Sequence, residues 1–333
     1  MDEIPSKDEE PSLDEMMGEA DSLSNDDPDW MECHWYVAGA LYQRFLDKGN
    51  PKDLNEAIRR GMSVVERQGR SSATHLHDVA LMILNRLDER EDPEDCAIFV
   101  ELLENALEKA EEDGTDSRLI AECQANLATG LMEGAAADVP EPIRQRAVTL
   151  WESALASGQL SEDAKRGIEG NLILTLSHTK ASEEELKRAV IWGRRAVTEA
   201  ASPEYAATAH LNLAAALERL HDTSTNKSFL DKAIYYMRNG LDLLGINHRD
   251  YPRHTANLVT LLRRLSRESG NPDHIKEAVC LGRKALERIP DDDSDRPLIL
   301  TNTASALLES VKSDSDLGLI DEALSMYREA INI

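Results

Sequence analysis

The stretch from Asn257 to Pro290 decides the fold of this chain, and it reads NLVTLLRRLSRESGNPDHIKEAVCLGRKALERIP. Apolar residues recur in its first half at the i, i+3, i+4 and i+7 spacing of one helix face, at Leu258, Leu261, Leu262 and Leu265. The break at 269–272 ends that helix, and Pro290 ends a second amphipathic pattern because proline cannot continue a helix. The stretch therefore predicts two helices joined by a turn.

Two anchors indicate that this two-helix module recurs along the chain. The first anchor is an asparagine that opens the first helix of five modules, with steps of 45, 41, 45 and 45 residues: Asn126, Asn171, Asn212, Asn257 and Asn302. The second anchor is a small residue that begins the second helix of the same five modules: Ala147, Ala189, Ala233, Ala278 and Ala323. Two anchors that keep one period predict a solenoid of stacked modules rather than a globule.

The two anchors carry different physical expectations. Each alanine is followed seven positions later by another small residue on the same helix face, which lets a neighbouring helix approach closely. The asparagines allow two interpretations, a hydrogen bond to the backbone of a bound partner or a bond to the neighbouring helix that sets the module spacing. Because all five modules keep the asparagine whatever their other groove residues, the structural interpretation is favoured.

Composition and charge restrict the class of protein. Aromatic residues make up only 4% of the chain, and proline and glycine lie mainly between the helical patterns, which is typical of an all-α protein. The formal net charge of −26 argues against a nucleic-acid surface, because phosphate would be repelled, and is more compatible with a basic protein partner. No apolar run resembles a signal peptide or a membrane span, and the cysteines show no paired spacing, so a cytoplasmic protein with free thiols is predicted.

The chain divides at about residue 30. Residues 1–29 hold twelve acidic residues against the single Lys7 and few large apolar side chains, which predicts a disordered acidic tail. Within it, Leu13, Met16 and Met17 have the spacing of a short helix that docks on a partner, but a tail that only keeps the protein in solution is the favoured interpretation. Residues 30–333 form the predicted solenoid, with modules near 35–67, 73–111, 117–157, 161–199, 203–243, 251–289 and 295–333.

The second helices carry a family resemblance. The segments AVIWGRRAV at 189–197 and AVCLGRKAL at 278–286, together with the Asn-Leu opening of the first helices, resemble the tetratricopeptide repeat. The period of 41 to 45 residues is longer than the family's usual length of about 34. It looks like the long arrays of fungal proteins that commonly precede a caspase-like CHAT protease domain or follow a nucleotide-binding signalling domain. The resemblance covers residues 35–333.

The resemblance implies a right-handed superhelix of about seven helix-turn-helix repeats, whose first helices line a concave groove. The implied function is a non-catalytic scaffold that binds a protein, as an extended peptide or a helix, as the sensor or regulatory part of a signalling or CHAT-protease system. No cofactor and no metal are predicted. Two alternatives stay open: a fragment of a longer protein without independent activity, or an unrecognised helical enzyme that uses Cys33, His34, His75 or His77.

One local reversal of charge marks a candidate site. Between Arg238 and Arg288, basic residues outnumber acids in an otherwise acidic chain. The candidate partner-binding residues of the groove are Arg219, Arg253, Asn257, Thr260, Arg263 and Arg264. Guanidinium groups there can hold a carboxylate or phosphate in two-pronged fashion. In the alternative, these arginines pair with acids of adjacent helices, where each exposed pair contributes about 0 to 1 kcal/mol.

The two ends of the solenoid differ. Trp30 and Trp35 are predicted to cover the first module, since a terminal module has no neighbour on its outer face. The last helix is still apolar where the chain stops, at Ile331 and Ile333. We expect a partner to cover this face, the chain to associate with itself there, or the sequence to be the front part of a longer protein.

Overall fold

A computed structural model describes residues 12–67, 72–90, 92–114, 116–134, 139–178, 180–224, 226, 228–311 and 317–333. These residues form fifteen α-helices and no strand. The helices are α1 (Leu13–Ser22), α2 (Trp30–Lys48), α3 (Pro51–Val65), α4 (Ala73–Glu89), α5 (Pro93–Glu112), α6 (Ser117–Glu133), α7 (Glu141–Ala156), α8 (Glu162–Leu176), α9 (Glu183–Glu199), α10 (Pro203–Thr223), α11 (Ser228–Leu244), α12 (Tyr251–Ser269), α13 (Pro272–Leu286), α14 (Arg296–Ser310) and α15 (Leu317–Asn332).

The helices pack in pairs within two compact units, Met1–Ser161 and Glu162–Ile333. In the first unit the pairs are α2 with α3, α4 with α5, and α6 with α7, and in the second they are α8 with α9, α10 with α11, α12 with α13, and α14 with α15. Within each unit, the second helix of a pair also packs against the first helix of the next. The predicted all-α class and the seven helix-turn-helix repeats are confirmed.

The connection within a module follows from its sequence. In α2–α3 and α12–α13 the turn is Gly-Asn-Pro. Gly49 and Gly270 end the first helix in the left-handed conformation, with φ of 66° and 70°, which glycine adopts without a steric penalty. The following asparagine accepts a backbone N–H of the second helix, and the proline then occupies the first helical position, where no N–H is needed.

The anchor alanines lie at the interfaces between helices. Ala147, Ala189, Ala233, Ala278 and Ala323 are all 0% exposed. Glycines four residues after two of these alanines are equally constrained. A Cβ on Gly282 would lie 2.3 Å from Thr303 Oγ1, and a Cβ on Gly193 would lie 2.9 Å from Leu213 Cδ1. Thr303 and Leu213 each directly follow an anchor asparagine, so the two anchors of the repeat meet where one module packs on the next.

The prediction of a disordered tail over 1–29 is wrong for residues 12–29. Helix α1 begins with a capping box between Ser12 and Glu15, and its Ala20 is 0% exposed against α2. Three of its side chains pack against the core of the first unit: Leu13, Met16 and Met17. The acidic composition suggested disorder, but the apolar residues share one face and dock on this chain itself. Residues 1–11 lie outside the described residues.

A buried arginine fastens α1 to α3. Arg60 is 1% exposed, and its guanidinium lies 2.7 Å from both Asp21 Oδ1 and Glu56 Oε1. Its Nη1 also lies 3.3 Å from Nδ1 of His34 on α2. The opposite nitrogen of His34, Nε2, lies 3.0 Å from the carbonyl oxygen of Ala20, so it is the ring nitrogen that donates. Three helices therefore meet at one polar cluster around the buried Arg60.

We expect α1 to detach more easily as the pH falls below about 6.5. The free energy of its local unfolding should then decrease. Burial, and then the charge of Arg60, hold the pKa of His34 below its ordinary value of 6.5. The unfolded chain takes up this proton first, so acidification favours unfolding between the unfolded and the folded pKa. Protonation also places an N–H on the His34 nitrogen that faces Arg60.

Hydrogen exchange of residues 13–22, measured at about pH 7.5 and about pH 5.5, checks this prediction. Protection should fall at the lower pH in the wild type and much less in His34→Gln, which keeps an amide donor for the Ala20 carbonyl but does not titrate. An equal loss of protection in both proteins would assign the pH dependence to other groups.

Candidate functional site

The predicted arginine cluster on α12 is engaged by neighbouring first helices. Arg264 Nη1 lies 3.1 Å from Glu218 Oε1 on α10, and Nη2 contacts Asp222 of the same helix. Arg263 Nε lies 3.1 Å from Glu309 Oε1 on α14. These pairs connect three successive first helices of the second unit. The alternative interpretation, pairing with acids of adjacent helices, describes both arginines.

The other candidates on α12 are held less tightly or within their own helix. Arg253 Nε lies 3.6 Å from Asp295 Oδ1, and the Arg253 side chain is 59% exposed. The hydroxyl of Thr260 donates to the carbonyl of Ala256 at 3.2 Å. Asn257 is partly buried. None of these contacts indicates a bound partner, so a partner-binding role for the three residues stays a prediction.

Arg219 on α10 differs from its counterpart on α12. It occupies the position 45 residues before Arg264. Arg264 faces two acids on α10, Glu218 and Asp222. In the preceding module, 41 residues earlier in the sequence, the equivalent positions hold Ser177 and Ala181. Arg219 is partly exposed, and among the described residues no carboxylate forms an ion pair with it. It is therefore the predicted groove arginine with a guanidinium available to a ligand.

Four of the five anchor asparagines fall into two groups. Asn302 Nδ2 donates to the carbonyl of Ala256 at 3.3 Å, and Asn126 Nδ2 lies 3.2 Å from His77 Nε2. In both modules the amide thus bonds the preceding first helix, which favours the structural interpretation there. Asn171 and Asn212 instead line a cleft between α8 and α10.

That cleft has a volume of about 340 Å³. Ala196 of α9 contributes to its lining, and the other lining residues come from the two first helices and include Arg166, Asn171, Leu174, Tyr205, Thr208 and Asn212. Leu174 is 56% exposed, unlike the other large side chains near it in sequence, Leu172 and Ile173, which are buried. The cleft therefore combines an uncovered apolar side chain with two side-chain amides, the groups that pair with a peptide backbone.

A hydrogen bond between Tyr205 and Glu169 stabilises one wall of the cleft. Tyr205 donates its hydroxyl to Glu169 Oε2 at 2.6 Å, and Glu169 is 3% exposed. Burial, followed by the bond to Glu169, raises the pKa of Tyr205, which keeps the hydroxyl protonated. Arg166 lies over the Tyr205 ring, 5.5 Å from its centroid. This wall is thus held in one arrangement before any ligand enters.

Arg219 continues the line of the cleft along α10. It follows Asn212 by seven residues, or two helical turns, on the same helix face. At 1.5 Å per residue the two Cα atoms are separated by about 10 Å along the helix axis. Leu174, Asn171, Asn212 and Arg219 thus form a row that we call the α8/α10 groove.

Sequence reasoning missed Leu174, although a signal was present. Leu174 stands three residues after the anchor asparagine of its module. The same position in the other four modules holds a small or hydroxyl-bearing residue: Thr129, Ala215, Thr260 and Ser305. A single large apolar residue at a position that is otherwise small or polar indicates a local exception to the repeat. The periodicity that identified the fold hid this exception, because apolar residues in helices are normally assigned to the core.

The residues of the enzyme alternative have structural partners. Both ring nitrogens of His34 are engaged, by Ala20 and by Arg60. Burial raises the pKa of Cys33, which opposes formation of a nucleophilic thiolate. His75 stacks edge-on against Trp35 with ring centroids 4.3 Å apart, and His77 contacts Asn126.

The last helix exposes apolar surface. On α15, Ile331 is 82% exposed and Leu324 is 43% exposed, and Ile333, directly after the helix, is 56% exposed. Self-association through this helix stays a prediction. Within the described residues, no helix combines the length and the apolar character needed to cross a bilayer.

Comparison with known proteins identifies the fold. No protein-family model matches the sequence, and no curated protein does either. The crystal structure of the apo form of RapI is similar with a TM-score of 0.55 at 14% identity, over 94% of this chain and 79% of that one. Two further solved structures are similar with lower TM-scores. One is a kinesin light chain with tetratricopeptide-like repeats from Podosopora anserina, and the other is the TPR2AB domain of yeast Sti1 in complex with an HSP90 peptide.

The Podosopora anserina protein has a TM-score of 0.31 at 13% identity, over 75% of this chain and 92% of that one. The Sti1 domain has a TM-score of 0.30 at 14% identity, over 92% of this chain and all of that one. The paired helices, their order of packing and the likeness to RapI agree with the repeat that the sequence predicts. This chain has the fold of the tetratricopeptide-repeat proteins.

Proposed function

We propose that this protein is a non-catalytic protein-interaction scaffold that binds an extended segment of a partner in the α8/α10 groove. The observation that carries the proposal is a row of groups on the first helices that have no partner among the described residues: exposed Leu174, the amides of Asn171 and Asn212, and the guanidinium of Arg219. An apolar contact, backbone hydrogen bonds and a charge anchor are the elements by which peptides are recognised.

The spacing of the groove restricts the ligand. The separation of about 10 Å between Asn212 and Arg219 corresponds to about three residues of extended chain. We therefore expect a ligand whose carboxylate lies about three residues from the backbone group that Asn212 binds. The net charge of −26 favours a partner that is otherwise basic, so the end of a basic segment, with its terminal carboxylate on Arg219, fits both conditions.

The proposal extends to a regulatory role. The likeness of the repeat period to fungal arrays supports a sensor function beside a signalling domain or a CHAT-type protease. In that role the groove receives the input and catalysis belongs to the partner. The groove variants described next also test this extension, because a sensor without groove binding has no input.

We expect Arg219→Ala to weaken peptide binding by about tenfold or more, since a charge-assisted bond contributes about 1.5 to 3 kcal/mol. The probe is a fluorescent peptide selected on the wild-type protein from a random library with free C-termini. Fluorescence anisotropy gives the Kd. Asn212→Ala should also weaken binding, and blocking the peptide's carboxylate as an amide should reproduce the loss in the wild type but not in Arg219→Ala.

Arg328→Ala is the matched control, because Arg328 is an exposed arginine on α15 outside the groove. Thermal melts of all variants should match the wild type, which separates binding from folding. Equal affinity of the selected peptide for the wild type, Arg219→Ala and Asn212→Ala would refute the groove assignment.

A further inference from the structure

The second helices are joined by a recurring cross-module pair. The first member of the pair lies five positions after the anchor alanine of one second helix. The second member lies directly before the anchor alanine of the next second helix. In the second unit, Arg238 Nη2 on α11 lies 2.7 Å from Glu277 Oε1 on α13. Arg283 Nε on α13 lies 2.8 Å from Glu322 Oε1 on α15. The two joints use the same positions and the same order of charge.

The first unit uses the equivalent positions with other chemistry, counted from Ala57 on α3 and Phe99 on α5, which stand where the later modules have their anchor alanine. At the joint of α5 and α7 the order of charge is reversed, and Arg146 Nη1 lies 2.6 Å from Glu104 Oε1. At the joint of α3 and α5 the corresponding residues are Met62 and Ile98, which are apolar and partly buried against the core. These joints are also complementary, so complementarity is kept even where the residue types change.

The joint of α9 and α11 breaks this pattern. Its two positions hold Arg194 and Lys232, which are both exposed. Among the described residues neither side chain forms an ion pair, and Lys232 Nζ has only the ring of Phe229, at 5.7 Å. Two cations therefore occupy the place where the following two joints have an arginine and a glutamate. The register places the two cations at equivalent positions of this joint; cations cannot neutralise one another, and among the described residues neither has an acid partner.

Exposed apolar side chains flank the two cations. Ile191 precedes Arg194 by three residues on α9, and Tyr235 follows Lys232 by three residues on α11, so each lies one turn away on the same face. Ile191 is 65% exposed and Tyr235 is 61% exposed. We call these four residues the α9/α11 patch. It lies on second helices, whereas the row of groups in the α8/α10 groove lies on first helices.

We propose that the α9/α11 patch is a second binding surface, which takes an acidic protein segment with an apolar anchor. A carboxylate placed between Arg194 and Lys232 supplies the missing acid, as Glu277 and Glu322 do at the next two joints. An apolar side chain of the same segment covers Ile191 and Tyr235. The inference does not depend on the proposed groove function, since no residue is shared between the two surfaces.

Charge complementarity favours an acidic protein segment over a membrane. Two cations are few for adsorption to an anionic bilayer, which gains about 1 kcal/mol per basic residue near the surface. The net charge of −26 opposes the approach of an extended anionic surface. A short segment is affected less, because charges farther away than about 8 Å are largely screened at physiological ionic strength.

The test uses Lys232→Glu, which restores the order of charge found at the joints of α11 with α13 and of α13 with α15. The probe is a fluorescent synthetic peptide with glutamates on both sides of a central Trp-Leu pair, and anisotropy gives its Kd. We expect Lys232→Glu to weaken binding at least tenfold while the thermal melt stays equal or rises, because the new carboxylate pairs with Arg194. Tyr235→Ser should also weaken binding, through loss of the apolar contact.

Lys52→Glu is the matched control, because it makes the same change of net charge on an exposed face of α3 in the first unit. It should bind the acidic peptide as the wild type does, and a peptide with glutamine in place of glutamate should bind weakly to both.

No binding of the acidic peptide to the wild type, or equal binding to Lys232→Glu, would overturn the proposal. Binding to phosphatidylserine vesicles that Lys232→Glu removes, without binding of the peptide, would overturn it in favour of a membrane. Arg219→Ala should leave this peptide's affinity unchanged, which keeps the test separate from that of the groove.

Discussion

Replacing Ala278 with glutamate is expected to lower the free energy of unfolding by about 3 kcal/mol or more. Ala278 is 0% exposed on α13, which packs against both α12 and α14. A longer side chain there overpacks the interface and also buries a carboxylate without a partner. The contact of Gly282 with Thr303, one turn along α13, shows how little space this interface has, since even a methyl group would lie 2.3 Å from the hydroxyl.

Cys280→Glu is the control for this variant. Cys280 lies two residues further along α13 and is exposed, so the same carboxylate meets solvent there. Chemical denaturation should separate the two proteins clearly, with Cys280→Glu close to the wild type. If Ala278→Glu unfolded at the same denaturant concentration as Cys280→Glu, the anchor alanines would not form the interface between modules.

Replacing Arg60 with alanine is expected to cost about 2 to 3 kcal/mol and to release α1. The side chain is 1% exposed and joins Asp21 of α1, Glu56 of α3 and His34 of α2. The cost stays at the lower end of the range for broken buried pairs, because the Asp21 side chain is 55% exposed and can be solvated in the variant. The apolar contacts of α1 alone then have to hold it.

Arg59→Ala gives the comparison for this prediction. Arg59 precedes Arg60 and pairs with the same Glu56, but its side chain is 58% exposed, so its loss should cost well under 1 kcal/mol. Hydrogen exchange is the direct measurement: residues 13–22 should lose protection in Arg60→Ala and keep it in Arg59→Ala. Equal protection of α1 in both variants would mean that the buried arginine does not hold this helix.

Periodicity was sufficient to predict the repeat, because the anchor alanine and the turn between paired helices both have local causes. A small residue is required wherever two helices cross closely, and a Gly-Asn-Pro turn ends one helix and begins the next through the conformations of its own residues. The anchor alanine recurs in five modules and the Gly-Asn-Pro turn in two, so both are visible without any knowledge of distant contacts. Ala233 and Ala323, which were identified from the repeat alone, are both fully buried.

Composition was a poor guide at the N-terminal end. The acids of residues 12–29 predicted disorder, yet α1 needs only one apolar face, and most of its charges point to solvent. Whether such a face docks depends on the surface that receives it. That surface is assembled from α2 and α3, and its polar centre is an arginine that the sequence presents as an ordinary charged residue.

The sequence by itself determined the all-α class, the seven helix pairs and the residues at which they pack, since each rests on spacing within one or two helices. Only the tertiary structure decided which charges remain without partners. Arg264 and Arg219 occupy the same position in the repeat, yet Arg264 pairs with two carboxylates, whereas Ser177 and Ala181 hold the equivalent positions for Arg219 and carry no charge. Likewise, Arg238 pairs with a glutamate, whereas the equivalent positions of the preceding joint hold Arg194 and a lysine. The free energy of a charged group depends on what the adjacent module places opposite it, and that pairing exists only after the modules have stacked.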